Sequence, residues 1–267
     1  MKIIACITVA SILALLPVSC GNRKGDDPNH IKVGVAAGPE YVIAEAARKV
    51  AGEKYGLEVE LIQFNDYIMP NTSLEQGDID ANVFQTRPFL DEQVLRRGYR
   101  FAIAGNTFIY PMAAYSRKIK TADELKEGSV VVIPNDFANS SRALLLLQKA
   151  GLIKLRDGVA APRLPDIIEN PRKLEILELE APQLTRVLDD AKVTLSIINN
   201  NFAGQAGLLL QDGVFAEDED SPYVNLIVTR EENKEEEKVK KFVRAYQSDE
   251  VAKVAAEVFK GGAVKGW

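Results

Sequence analysis

Two hydrophobic periods take turns along the chain, one of two residues and one of three to four, and the places where they exchange outline the elements. Ile31 to Val35 reads as a strand, Ala36-Ala37-Gly38 as a turn, and Pro39 holds the favoured first position of a helix. Val42, Ile43, Ala46, Ala47 and Val50 then recur at helical spacing until Gly56 stops them. "LEVELIQF" (Leu57 to Phe64) alternates as a strand does, which completes a βαβ unit whose crossover should be right-handed. "DIDANVF" and "FAIAGNTFIYP" add strand-like pieces on either side of the helical "PFLDEQVLRRG".

The pattern restarts at "TADELKEGS". Thr121 with Glu124 three residues later predicts a capping box, and Gly128 the end of a short helix. "SVVVIP" (Ser129 to Pro134) is an unbroken β-branched run of the kind buried on both faces. A turn, the helical "ANSSRALLLLQ", the strand "LEILELE", a helix around Leu184, Val187 and Leu188, and the strand "VTLSII" follow. "YVNLIVTR" then predicts a strand and "NKEEEKVKKFVRAYQ" a helix, with Val239, Phe242, Val243 and Tyr246 on its dry face and the pairs Glu236–Lys240 and Glu237–Lys241 on its wet one. Two α/β units with elements left over predict an α/β fold of two lobes, with a ligand cleft between them at the carboxyl ends of the strands.

Composition narrows the chemistry. The 267 residues are 46% hydrophobic, enough for packed cores, and a formal charge of -5 works against a nucleic-acid surface. Lys2, the apolar stretch Ile3 to Leu16 and Ser19-Cys20 form an export signal of residues 1–19, ending at a cysteine placed like that of a bacterial lipobox, although Pro17 stands where leucine is preferred. Lipid on Cys20 and a polar tether over 20–30 would hold the rest at a membrane. The remaining cysteine, Cys6, falls inside the signal, and His30 is the sole histidine. A mature domain so equipped has no disulfide, no thiol nucleophile, no Ser-His-Asp triad and no zinc helix.

One charge asks for a partner. Arg142 stands between a polar turn and the apolar Ala143 to Leu147, where Asn139, Ser140 and Ser141 could all cap a helix. A guanidinium beside a helix N-terminus suits a small anion, a carboxylate above all; a salt bridge to one of the many acids serves equally on spacing alone.

From His30 to Trp267 the chain resembles the NlpA-type methionine-binding lipoproteins of bacterial ABC importers, on "KYGLEVELIQFNDYIMPN", "GDIDANVFQTRPFLDEQ", "GNTFIYP", "IPNDFANSSRALLLLQKAGLIKL", "LELEAPQLTRVLDDA", "SPYVNLIVTRE" and "FKGGAVKGW". The resemblance implies a periplasmic-binding-protein fold of the type II kind, with lobe I from 31–110 and 226–267, lobe II from 111–225, and no catalysis, cofactor or metal. It implies L-methionine as ligand, a transporter permease as partner, and a monomer held at the membrane through Cys20. It places Tyr67 and Phe84 on the first lobe's wall, with Thr86 and Phe89 where many relatives have His and Tyr. Asn139, Arg142, Asn199 and Asn225 are implied on the second lobe, and the choice of Asn199 over Asn200 rests on the resemblance alone. Another hydrophobic amino acid or a short peptide is the alternative ligand; a surface adhesin or a carboxylate-dependent hydrolase is the alternative of another class.

Overall fold

The computed structural model describes residues 27–218 and 220–267; the export signal and Cys20 lie outside them. The first unit is β1 (His30–Ala36), α1 (Pro39–Tyr55) and β2 (Glu58–Phe64), with β1 and β2 parallel from His30 opposite Glu58 to Ala36 opposite Phe64. α1 stops at Gly56 because that residue takes φ 58° and ψ 30°, turning its own N–H onto the Gly52 carbonyl and that of Leu57 onto the Ala51 carbonyl. Next come α2 (Met69–Gln76), β3 (Ala81–Thr86), α3 (Arg87–Arg97) and β4 (Phe101–Ile109). The middle of the chain forms β5 (Ala113–Tyr115), β6 (Val130–Pro134), α4 (Phe137–Lys149), the ribbon β7 (Lys154–Leu155) and β8 (Ile167–Glu169), β9 (Glu175–Leu179), β10 (Val193–Ile198), α5 (Asn200–Gln205) and β11 (Phe215–Ala216). β12 (Val224–Arg230), α6 (Glu237–Tyr246), α7 (Asp249–Val258) and β13 (Val264–Lys265) close it.

These strands make two sheets. The first runs β13-β4-β12-β3-β1-β2 and the second β11-β5-β10-β6-β9. β1, β2 and β3 are mutually parallel, as are β6, β9 and β10, so each sheet sends a set of strand carboxyl ends the same way. The chain passes between the sheets twice, through 110–112 and 217–223. Asn225, expected on the second lobe, belongs instead to β12 in the first sheet, where it stands opposite Thr86. The apolar run of "YVNLIVTR" pairs it between β3 and β4, and that pairing begins at Val224.

Each sheet carries its own core. Ile43, Ala47, Phe242 and Ala255 from α1, α6 and α7 cover Val33 and Ile227 of the first. Ala143, Leu144 and Leu147 of α4 cover Val131, Ile133 and Leu195 of the second, which explains the apolar run behind Arg142. A smaller cluster of Ala36, Phe84, Phe89 and Ala138, with Tyr67 against it, bridges the two.

Some periodic readings fail for local reasons. The helix expected around Leu184 is two 3₁₀ turns, Ala181–Gln183 and Arg186–Asp189, because Pro182 opens the segment and Asp190 leaves it extended, its carboxylate taking the Lys192 N–H at 2.8 Å. Leu184 and Leu188 are nonetheless buried. Thr121 and Glu124 do form the capping box, but around a single 3₁₀ turn that ends before Gly128. The charged helix begins at Glu237, with Glu236 still extended, so Lys240 pairs with Glu235 and Glu237 and Lys241 donates to Asn29. Its charged run is not all solvated: Lys238 is buried, 3.3 Å from Asp80 and 3.4 Å from Glu236.

Candidate functional site

The carboxyl ends of β1, β3, β6 and β10 converge on one small cavity, part of it open to solvent. All eight side chains expected at a ligand site, Tyr67, Phe84, Thr86, Phe89, Asn139, Arg142, Asn199 and Asn225, line it. Glu40, Gln85, Tyr110, Asn200 and Asn201 line it as well, and sequence reasoning did not select them.

Arg142 is the most constrained member. It lies in the second turn of α4 and is 4% exposed. Its Nε donates to Glu217 Oε1 at 2.7 Å, and its Nη2 donates both to Glu217 Oε2 at 2.5 Å and to the Tyr110 carbonyl at 2.9 Å. The Tyr223 ring lies 4.3 Å from the guanidinium carbon. The two-pronged edge offered to a ligand carboxylate is therefore taken by an internal one, and the salt-bridge alternative is the one realised. Of the guanidinium's five N–H donors, the pair on Nη1 has no hydrogen-bond partner among the described residues. That corner remains for an anion in the cavity.

Glu217 is equally occupied. Besides Arg142 it accepts from the Met112 N–H at 3.0 Å and the Ser221 hydroxyl at 3.1 Å, and its own N–H donates to the Met112 carbonyl at 2.9 Å. A carboxylate held by this many hydrogen bonds keeps the guanidinium fixed.

The helix start behind Arg142 is capped, but not by Asn139, Ser140 or Ser141. α4 begins at Phe137, and Asp136 accepts from the Asn139 N–H at 2.9 Å. The same carboxylate accepts from Asn139 Nδ2 at 2.9 and 3.0 Å, which fixes which end of that amide is nitrogen. Asn139 Oδ1 must then accept, and it does, from Asn199 Nδ2 at 2.8 Å. The chain of donors leaves Asn199 Oδ1 buried, with no donor among the described residues. An orphaned buried acceptor calls for an N–H from outside the protein. Replacing Asp136 with alanine is expected to lower the unfolding free energy in urea by about 0.5–2 kcal/mol, through loss of the cap.

Asn200 and Asn201 differ from Asn199 in being spent. Asn200 donates to the Gly262 carbonyl at 2.8 Å; Asn201 donates to the Ala37 carbonyl at 2.9 Å and accepts from the Glu40 N–H at 3.2 Å. They fasten α5 to the first lobe, and of the three only Asn199 has an acceptor that is buried without a donor among the described residues.

The remaining wall is aromatic. Tyr67 lies 5.7 Å from Phe84, 6.1 Å from Phe89 and 5.0 Å from Phe202, and Phe84 and Phe89 meet edge to face at 5.8 Å. Phe84 and Phe89 are thus both core and cavity wall. Phe202 lay in a stretch with no periodic signal and was missed. Burial pushes the Tyr67 hydroxyl well above its usual range, with Glu40 and Asp136 adding to the rise and Arg142 opposing it, so three titratable side chains bear on one point.

Residues 31–267 match the profile of the NlpA lipoprotein family. The chain belongs to the NlpA lipoprotein family. Within it, the chain is 61% identical to the D-methionine-binding lipoprotein MetQ of Salmonella typhi, over 97% of this chain and 96% of that one. The fold superposes on a crystal structure of the methionine-binding protein MetQ with a TM-score of 0.89 at 61% identity, covering 90% of this chain and 99% of that one. It superposes on a nutrient-binding protein from Burkholderia cenocepacia bound to methionine with a TM-score of 0.86 at 47% identity, covering 89% of this chain and all (100%) of that one. This NlpA chain therefore has the two-lobed α/β fold of periplasmic substrate-binding proteins, and its relatives are named as binding lipoproteins rather than enzymes.

Proposed function

We propose that this NlpA lipoprotein captures methionine in the cavity between its two sheets and delivers it to an ABC transporter from the outer face of a bacterial membrane, held there as a monomer by lipid on Cys20. The observation that carries the reading is the pairing of opposite needs across one aromatic-lined space: among the described residues the Arg142 Nη1 corner lacks an acceptor and Asn199 Oδ1 lacks a donor. An amino-acid zwitterion supplies both. Its thioether fits Tyr67, Phe84 and Phe89, since sulfur gains about 0.3–1.5 kcal/mol against an aromatic edge. The relatives' names, and the methionine in the Burkholderia protein, support the same ligand.

Binding is coupled to closure of the two lobes about 110–112 and 217–223, and the ligand favours the closed form by touching both sheets at once. Titration calorimetry with L- and D-methionine tests the reading directly: one mole bound per mole of protein is expected for at least one enantiomer. The L form is what the family resemblance implies, whereas the relatives' names say D. Saturation by another amino acid or a dipeptide, with neither enantiomer bound, would overturn it. Asn199→Ala should weaken methionine binding by about 1–3 kcal/mol in the same titration, because it removes the open acceptor.

A further inference from the structure

We propose that Glu40 is the anionic partner of the ligand's ammonium group, and that it is protonated in the empty cleft and releases its proton to solvent when methionine binds. The inference rests on the methionine reading above. Glu40 follows Pro39 in the first turn of α1, is 4% exposed and lines the same cavity as Asn199, Asn225 and Arg142. Its backbone N–H is fastened to Asn201 Oδ1 at 3.2 Å, so the start of α5 sets its position. Its carboxyl group receives no hydrogen bond from any described residue, in contrast to Glu217 and Asp136, the half-buried acids near the same cavity. A carboxylate buried without donors is costly, so the empty site favours the neutral acid.

The surroundings agree. From the other elements packed near it come three buried phenols, Tyr67, Tyr110 and Tyr246, each held above its usual range by burial and so uncharged at neutral pH. Across the cavity the Arg142 charge is matched by Glu217. α5 presents the amides of Asn200 and Asn201, and β3 presents Gln85, which Asn71 and Asn82 already hold. Glu250 of α7 pairs with Lys54 at the far end of α1. Among the described residues no lysine or arginine is paired with Glu40, and burial raises its pKa from 4.5 to about 8. The N-terminal dipole of α1 works the other way and favours the anion. A group so balanced ionises when one cation arrives beside it.

That cation is the ligand's own. With the ligand carboxylate at the Arg142 Nη1 corner, the ammonium faces Asn199 Oδ1 and Glu40. The acid O–H breaks, its proton leaves to water, and the carboxylate accepts from the ammonium, so one proton is released per methionine. The sign of the pH effect follows. Between the pKa of Glu40 in the complex and about 8 in the empty cleft, affinity rises with pH, by at most about tenfold per unit.

The test is calorimetry of the full protein and of Glu40→Gln at pH 6 and 7, in two buffers of different ionisation enthalpy, with methionine and with 4-(methylthio)butanoate, which lacks the ammonium. Release of close to one proton per methionine at pH 7 is expected for the parent and none for the variant. The variant should bind methionine about 10–100-fold more weakly, as a lost charged hydrogen bond implies, yet bind the deaminated acid as well as the parent does. Equal losses for both ligands would assign Glu40 a structural role and overturn the proposal. So would methionine binding without proton release, or proton uptake, which would make Glu40 a neutral donor to the ligand carboxylate. If the parent binds neither enantiomer of methionine, the functional reading itself fails and this inference falls with it.

Discussion

Glu217→Ala is expected to lower the unfolding free energy by about 3–5 kcal/mol, the cost of leaving a buried guanidinium without its counter-charge. Arg142 is 4% exposed, and Glu217 supplies the acceptors for two of its three bound N–H groups. Nothing else among the described residues is bonded to its Nε. The companion change separates stability from binding. Arg142→Met together with Glu217→Leu removes both charges and should restore most of the lost stability, since apolar replacements of a buried pair are often neutral. It should not restore methionine binding, because the Nη1 corner is gone with the guanidinium. Urea denaturation and calorimetry on the three proteins measure both. A Glu217→Ala protein within about 1 kcal/mol of the parent would mean that solvent reaches the guanidinium and that the buried pair described here is wrong.

Gly204→Leu is expected to abolish closure while leaving both lobes folded. A Cβ at position 204 would sit 2.7 Å from Pro39 Cγ, and one on Gly38 would sit 2.2 Å from Gln205 Cγ, so the Pro39 ring packs directly on Gly204 and the Gln205 side chain on Gly38. Pro39 cannot retreat without moving the helix it begins. Gly204 has no positive φ to protect, so alanine there gains about 1 kcal/mol of helix propensity within its own lobe. The same methyl costs the closed form about 1–3 kcal/mol by overpacking, and leucine costs it more. Lobe stability and ligand affinity should therefore move in opposite directions, with methionine binding weakened about 5–150-fold for alanine and lost for leucine. Small-angle scattering at saturating methionine should show the compact shape for the parent and the extended one for Gly204→Leu. A compact Gly204→Leu protein would remove α5 from the closing surface.

Periodicity made most of the fold legible where side chains face a purely apolar core. β1, α1 and β2 could be placed almost to the residue because Gly56 and Pro39 punctuate a clean alternation. α2 left no such trace, since Leu74 is the one large apolar side chain among its buried residues Pro70, Asn71, Ser73 and Leu74, and Asn71 is held by an amide network with Asn82 and Gln85. The segment around Leu184 showed the right buried residues with the wrong period, because 3₁₀ turns carry a similar spacing over so short a run. In the site, resemblance supplied residues that spacing alone could not. It could not supply Glu40, whose place after Pro39 looks like any acid at a helix start, nor the partner of Arg142, which lies seventy-five positions along the chain. Charge pairing across that distance has no local signature.

The guanidinium of Arg142 is bonded to both segments that join the sheets, to the Tyr110 carbonyl in one and to the Glu217 carboxylate in the other, and Glu217 in turn is laced to Met112. In the binding mode proposed above, the post that meets a ligand is thus also the pin of the hinge. Selection for a new cargo would disturb the mechanics of the whole molecule if it acted at position 142. It is free to act at Thr86 and Phe89, which line the cavity without touching either joint. Descendants of this scaffold should diversify in cargo by changing those two positions while inheriting the arginine and its acid unchanged.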